Sequence, residues 1–532
     1  MPRTDPQRGP RALGVAALVF LSLVHGCGDG NGQVFTGIVS GTARYEDRAY
    51  DRNGLTGQTS VKPIRYADIE VVRAADGAVL ASTATDSTGV FSLTFTNSAR
   101  PGVYLRVLSR TADPSANITV TDTANTLYAA AGSPFNERAA IPSTVSLTAP
   151  IVTVDNEAVG GAFHIMDTFI DGSEFIRNFS GQVVPPVTAR WEIGTGGTYY
   201  DTDLDQINVT GGSGLQTGDH DEYDDAVLLH EYGHHIANHF SKDDSPGGMH
   251  FLADNTQDIR LAWSEGWATF FAGAVLARSD YVDTVGGDPP SNGASTLDLE
   301  TREAGSPLTY TTSEGAVATV LWDIFDQSAA EAFDGIGDNM AAIWDVFAQA
   351  LPSAATVSME DFWDGWFARG HGFAAEMKSV TDDRQMGFTQ DPTGANNAAV
   401  CTNPLALNTP LNDTLYSATT PDVDYACVNV TQGTPYTVET INLSNGADPF
   451  VEILDNQMTV IASNDNGTDN ANYNPCQPLG LSCPPNDATS LASRVTFTPS
   501  ASGTYFVRIT RSANAPPSAG TYGSFIVRLT NP

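Results

Sequence analysis

The sequence predicts a multidomain chain: a β-sandwich, then an α+β domain whose second half is helical, then a second β-sandwich. Three observations carry this reading. Short alternating runs between turns fill residues 34–149 and return after Cys401. From Asn156 the apolar period lengthens to that of helices. Within the helical stretch, imidazoles and carboxylates fall at spacings that let them work together. A chain of 532 residues is long enough for several such units.

Residues 1–27 read as a lipoprotein-type signal peptide. Arg3, Arg8 and Arg11 precede an apolar run from Ala12 to Val24, too short to span a bilayer but suited to a signal core. The run ends Leu23-Val24-His25-Gly26-Cys27, which resembles a bacterial lipobox. Cleavage before Cys27 would leave a lipid-bearing N-terminus and a membrane tether, with residues 28–33 as a flexible Gly-rich lead. The chain is therefore expected to be exported, either to the bacterial cell envelope or to the extracellular space. Four further cysteines, Cys401, Cys427, Cys476 and Cys483, suggest two disulfides in that setting. Of the three possible connectivities, the local one pairs Cys401 with Cys427 and Cys476 with Cys483.

The formal net charge is −36, and Lys62, Lys242 and Lys378 are the only lysines. Phosphate repulsion disfavours nucleic acid as a partner. Many Asp-Gly and Asp-Asn stretches in an exported acidic chain add calcium to the expected ligands.

Residues 34–149 form the first sandwich. Ile69-Glu70-Val71-Val72, Val90 to Phe95 and Val103 to Val107 read as strands between turns such as Asp76-Gly77 and Thr88-Gly89. No catalytic cluster appears there, so an accessory role is expected; the pattern is similar to the small sandwiches of carboxypeptidase regulatory domains.

Residues 150–392 form the second unit. Ala158, Ala162, Phe163, Ile165, Met166, Phe169 and Ile170 fit one broad apolar helix face. Strands around Arg190–Ile193 and Asp205–Val209 follow, and a sheet edge there could receive a peptide as an added strand. Then comes His230-Glu231-Tyr232-Gly233-His234, preceded by Ala226–Leu229 and capped by Asp224 or Asp225. Positions i and i+4 of a helix share a face, so both imidazoles can offer a nitrogen to one metal ion at about 2.0–2.1 Å. Glu231 is turned about 100° away and can take a proton from an attacking water without being a ligand. This suits a zinc hydrolase.

A third ligand is needed. Ala237 and Phe240 stand where a metzincin would have Gly and His. His235 and His239 are rotated off the first face and read as supporting or surface residues. Glu265 is the better candidate, a single carboxylate within the apolar run Leu261–Ala272. Its helical neighbours Leu261, Ala262, Ala268, Thr269 and Ala272 are mostly small, so its helix can approach another closely. The competing reading pairs Glu265 with Arg260.

A His-Glu-x-x-His helix followed by Ser264-Glu265-Gly266-Trp267-Ala268 resembles the gluzincin metallopeptidases, thermolysin-like in the wide sense. The resemblance covers roughly residues 155–390. It implies a zincin-like α+β catalytic domain, Zn2+ held by His230, His234 and Glu265, and Glu231 as general base. It also implies a Tyr or His after the third ligand to stabilise the oxyanion, here Tyr310 ahead of His371. Thr269 stands where thermolysin-like enzymes usually carry an Asp that orients a zinc histidine, so that support must come from elsewhere. The expected function is an exported zinc-dependent endopeptidase acting on protein or peptide substrates as a monomer. A second reading is a surface adhesin or glycan-binding lipoprotein with a structural or retired zinc site.

Helices Glu314 to Phe325 and Met359 to Ala368 complete that unit, and residues 393–400 are a linker. Residues 401–532 alternate again, in Tyr436–Thr440, Phe450–Leu454, Arg494–Phe497, Thr504–Ile509 and Phe525–Leu529. With Asp422-Val423-Asp424-Tyr425, this tail resembles the bacterial pre-peptidase C-terminal domain, a β-sandwich attached to secreted peptidases. Asp455, Asn464 and Asp465 are a calcium candidate there.

Overall fold

A computed structural model describes residues 34–113, 116–149, 159–214, 217–252, 254–255, 257–287, 293–301, 308–327, 333–354, 357–386, 388, 399–401, 404–415, 423–441, 443, 447–465, 492–512 and 523–531. The expected signal peptide, Cys27, the tether, most of the linker and the Cys476–Cys483 pair lie outside these residues. The chain is multidomain, with sandwich-like sheets at both ends and a helical middle.

In the N-terminal part a long strand, Phe35–Asp51, pairs antiparallel with Gly54–Pro63 and Val90–Asn97 and parallel with Val145–Ala149. Strand Val90–Asn97 buries every second residue, which places Phe91, Leu93 and Phe95 inward. The facing sheet does not stop at residue 149. It runs Tyr199–Asp201, Gln206–Val209, Val187–Trp191, Ile118–Thr121, Val103–Thr111, Ala67–Arg73, Val79–Ala84. Ile118–Thr121 pairs parallel with Val187–Trp191, so strands from both sides of residue 150 share one sheet. A single apolar core correspondingly reaches from Val39 to Phe388.

Helix α1, Gly160–Ser180, lies on this junction with Phe163, Ile165, Met166, Phe169 and Ile170 fully buried. Its polar side meets the N-terminal strands. Tyr45 donates to Asp167 at 2.7 Å, and Arg65 reaches Asp167, Asp171 and Glu174. His164 stands between Asp47 at 2.8 Å and Asp225 at 3.1 Å. Burial alone would lower this imidazole, but the two carboxylates push it up to about 10.

Helix α2, Asp225–Phe240, carries the His-Glu-Tyr-Gly-His motif. Neither expected cap acts through its side chain. Asp224 accepts from the Thr284 backbone and hydroxyl at 2.8 and 3.0 Å, and Asp225 faces His164 and Tyr50. Helix α3, Ile259–Leu276, packs on α2, and helix α4, Glu314–Phe325, packs on α3. Glycines set both distances. A Cβ at Gly233 would lie 3.0 Å from Ala268 Cα, and one at Gly266 only 2.6 Å from Val317 Cβ. Trp267 Nε1 donates to the Gly233 carbonyl at 3.1 Å and locks the α2–α3 contact. Helices Met340–Asp345, Met359–Ala368 and Ala374–Asp383 close the core with Trp344, Trp363 and Trp366.

The C-terminal part is two four-stranded sheets around a separate core of Val428, Val438, Val451, Ile453, Val507 and Val527. A disulfide joins Cys401 to Cys427, with Cα atoms 5.2 Å apart. Asp455 closes its own turn by accepting from the Gln457 and Thr459 amides, while Asn464 accepts from Arg494 N. No helix among the described residues is long and apolar enough to cross a membrane.

Candidate metal centre

Helices α2 and α3 bring His230, His234 and Glu265 together, all buried. His230 Nε2 lies 3.0 Å from Glu265 Oε2, His234 Nε2 lies 3.4 Å from the same oxygen, and the two Nε2 atoms are 3.3 Å apart. Ligands on one tetrahedral ion at 2.0–2.1 Å are about 3.3 Å apart, so this triangle has the dimensions of a zinc site.

The outer ring nitrogens are held by hydroxyl groups. His230 Nδ1 faces Thr269 Oγ1 at 3.1 Å, and His234 Nδ1 faces Ser264 Oγ at 3.2 Å. Ser264 donates its own proton to Asp243 at 2.9 Å, leaving its oxygen to accept from His234. With the protons on Nδ1, both Nε2 lone pairs and the Glu265 carboxylate point at one spot. Three electron-rich atoms so placed call for a cation between them, and the donor set of two imidazoles and a carboxylate fits Zn2+. With no cation between them, the same groups satisfy one another as ions. Burial would raise Glu265, yet the two imidazoles hold it well below the ordinary carboxylate range. Burial would lower His234, yet Glu265 and Asp243 hold it well above the ordinary histidine range. Arg260 does not compete for Glu265, because it pairs with Asp258 at 2.9 Å.

Glu231 is buried beside this group, and its Oε2 accepts from the Tyr200 amide at 2.7 Å. Tyr200 belongs to Tyr199–Asp201, the edge strand of the long sheet. The cleft encloses about 1150 Å³ and is lined by Tyr200, His230, Glu231, His234, Glu265, His250 and Tyr281, among others.

Tyr310 and His371 are not among the residues that line the cleft. The Tyr310 amide is fixed to the Arg384 carbonyl at 2.8 Å, and His371 pairs with Asp345 at 3.0 Å. The first residue of α4, Glu314, reaches the cleft instead, where it accepts from His250 Nδ1 at 2.9 Å. That hydrogen bond raises the imidazole above its ordinary range, and its Nε2 lies 3.7 Å from Glu265 Oε1. His235 and His239 both face Asp205, at 2.9 Å each. His250, Asp243, Ser264 and Tyr281 went unassigned in the sequence; Ser264, next to Glu265, is the one with a local signal.

The chain matches the Mycolysin C-terminal domain over residues 180–380 and the bacterial pre-peptidase C-terminal domain over residues 422–511. Among curated proteins, an uncharacterized protein of Archaeoglobus fulgidus is 31% identical over 163 residues, covering 29% of this chain and 41% of that one. The chain thus matches about two-fifths of that relative's length. Among solved structures, the pre-peptidase C-terminal domain of a Bacillus anthracis collagenase is 16% identical, covering 24% of this chain and 92% of that one, with a TM-score of 0.16. A surface-associated copper-binding protein of Methylomicrobium album BG8 is 13% identical, covering 25% and 99%, with a TM-score of 0.15. The two family matches support a secreted metallopeptidase-type architecture.

Proposed function

We propose that this chain is an exported zinc-dependent endopeptidase of the wider gluzincin group, with His230, His234 and Glu265 as ligands and Glu231 as general base. In this reading residues 150–392 carry the zincin-like catalytic unit, which shares a sheet and a core with residues 34–149, residues 401–532 follow it, and the chain is either tethered through Cys27 at the cell envelope or extracellular. The observation that carries it is the triangle of His230 Nε2, His234 Nε2 and Glu265 Oε2, at 3.0 to 3.4 Å, with both outer nitrogens held by hydroxyls. Zn2+ held there would supply Lewis acidity to the water and the scissile carbonyl.

The chain's own groups do the rest. Glu231 takes the proton of the attacking water and delivers it to the leaving amine, while the Tyr200 amide keeps its carboxylate in place. An extended peptide can pair with the edge strand Tyr199–Asp201, which sets the scissile bond across the cleft. His250 takes the role that the resemblance gave to Tyr310. The hydrogen bond to Glu314 favours the protonated imidazole, whose Nε2–H donates to the developing oxyanion.

Glu231→Gln tests the reading. Hydrolysis of a denatured protein should fall about 10²–10⁴-fold while one zinc per chain is retained. Turnover at the original rate would refute the role of Glu231.

A further inference from the structure

The wall of the cleft contains a second group of ligand atoms that the peptidase reading does not use. Asp219 and Asp221 lie in the turn just before α2, and Asp283 lies in strand Asp280–Thr284. One carboxylate oxygen from each falls within 4.8 Å of the others. Oxygen ligands on opposite sides of a calcium ion, at 2.3–2.6 Å each, are separated by about that distance.

Asp221 carries the argument further. It is only 6% exposed, and while the Thr198 hydroxyl donates to its Oδ2, its Oδ1 is buried with no hydrogen-bond partner. A buried carboxylate oxygen without a donor is costly unless a cation meets it, and without one burial and the Asp219 charge push Asp221 up to about 8. Among the described residues no lysine or arginine pairs with Asp219, Asp221 or Asp283, although the cluster is held together from both sides. Gly286 N lies 3.4 Å from Asp219, and Asp224 grips Thr284.

We infer that Asp219, Asp221 and Asp283 bind a divalent cation of the calcium class. The ion ties the strand Asp280–Thr284, and with it Tyr281, to the start of the helix bearing His230 and His234. Three hard oxygen donors without a nitrogen or sulfur ligand select calcium over zinc. The inference shares no ligand with the zinc reading and stands or falls apart from it.

The test uses the full zinc-loaded chain in calcium-free buffer, titrated with calcium chloride while the melting temperature is followed. Millimolar calcium should raise the midpoint by about 5 °C. Asp221→Asn and Asp283→Asn should lose most of that rise with zinc content unchanged. If Asp221→Asn does not fold, the partly exposed Asp219→Asn serves, and its calcium affinity should fall at least about 10-fold. No calcium effect on the parent chain, or a full effect in every variant, overturns the proposal. So does a parent chain indifferent to calcium whose Asp219→Asn variant instead loses cleavage beside arginine or lysine, since the cluster would then be a substrate subsite.

Discussion

His230 and His234 on one face of α2, and His235 and His239 on the next, have the same i, i+4 spacing, and the two members of each pair share a carboxylate. In the first pair, hydroxyls occupy Nδ1 of both rings, so both Nε2 atoms converge on Glu265. In the second pair, His235 Nε2 faces the Pro185 carbonyl and Nδ1 faces one oxygen of Asp205, while His239 takes the other oxygen. Asp205 also accepts from Tyr200 and is open to solvent. Donor spacing alone does not separate the two groups, because both come within 4.8 Å. What separates them is where the protons go. The first carboxylate faces two bare nitrogens in a buried cleft, and the second is already satisfied by hydrogen bonds.

The largest effect expected from this contrast is on zinc retention. His234→Ala should lose the metal through gel filtration and, with it, several kcal/mol of transition-state stabilisation, on the order of 10³-fold or more in rate. His239→Ala should keep one zinc and most activity, with the change within a few-fold. The readout is metal content by elemental analysis beside the rate. A His239→Ala chain that also loses zinc would break the comparison.

How much of this was legible in the sequence follows from range. The motif of α2 and the small-residue face around Glu265 are local patterns. The structure adds the contact they imply, Gly233 against Ala268, which lets α3 come close enough to place Glu265. The helices Glu314–Phe325 and Met359–Ala368 were also readable, because their apolar period is local; the structure adds the Ser313 and Ser358 caps. The groups that complete the cleft come from the loop after α2 and the strand Asp280–Thr284, where no periodicity marks a residue as facing inward. Hence the sequence points to Tyr310 and gives no signal for His250 or Tyr281. The change of texture near residue 150 was legible, but the parallel pairing of Ile118–Thr121 with Val187–Trp191 is not, since nothing local encodes a pairing across that distance.

Thr269 gives a middle-sized test of the same contrast. The position departs from the Asp of thermolysin-like enzymes, yet its hydroxyl holds His230 Nδ1. Thr269→Val keeps the shape and removes the oxygen. Zinc affinity should fall about 10–100-fold, the usual effect of losing the partner of a metal-bound imidazole. Ser264→Ala should cost less, because Asp243 remains 3.6 Å from His234 Nδ1. Competition with a chromogenic chelator measures both, and equal affinities for Thr269→Val and the parent would show that the hydroxyl does not orient the ring.

The smallest effect concerns protons at the second pair. Burial lowers the pKa of His235 below its ordinary 6.5, the charge of His239 lowers it further, and Asp205 only partly opposes them. As pH falls through 6.5, the unfolded chain takes up a proton that folded His235 refuses. The unfolded state then binds more protons, so this histidine's contribution is intact above 6.5 and is lost on acidification toward its folded pKa. His239→Gln removes the neighbouring charge but leaves the burial, so it should flatten this loss without abolishing it. Urea midpoints of the parent and His239→Gln, compared at about pH 8 and about pH 5, isolate the difference from every other titrating group they share. A steeper acid loss in His239→Gln would mean that the second pair is stabilised by a shared positive charge rather than strained by one. Its protonation would then have to be reassigned before it could be set apart from the zinc face.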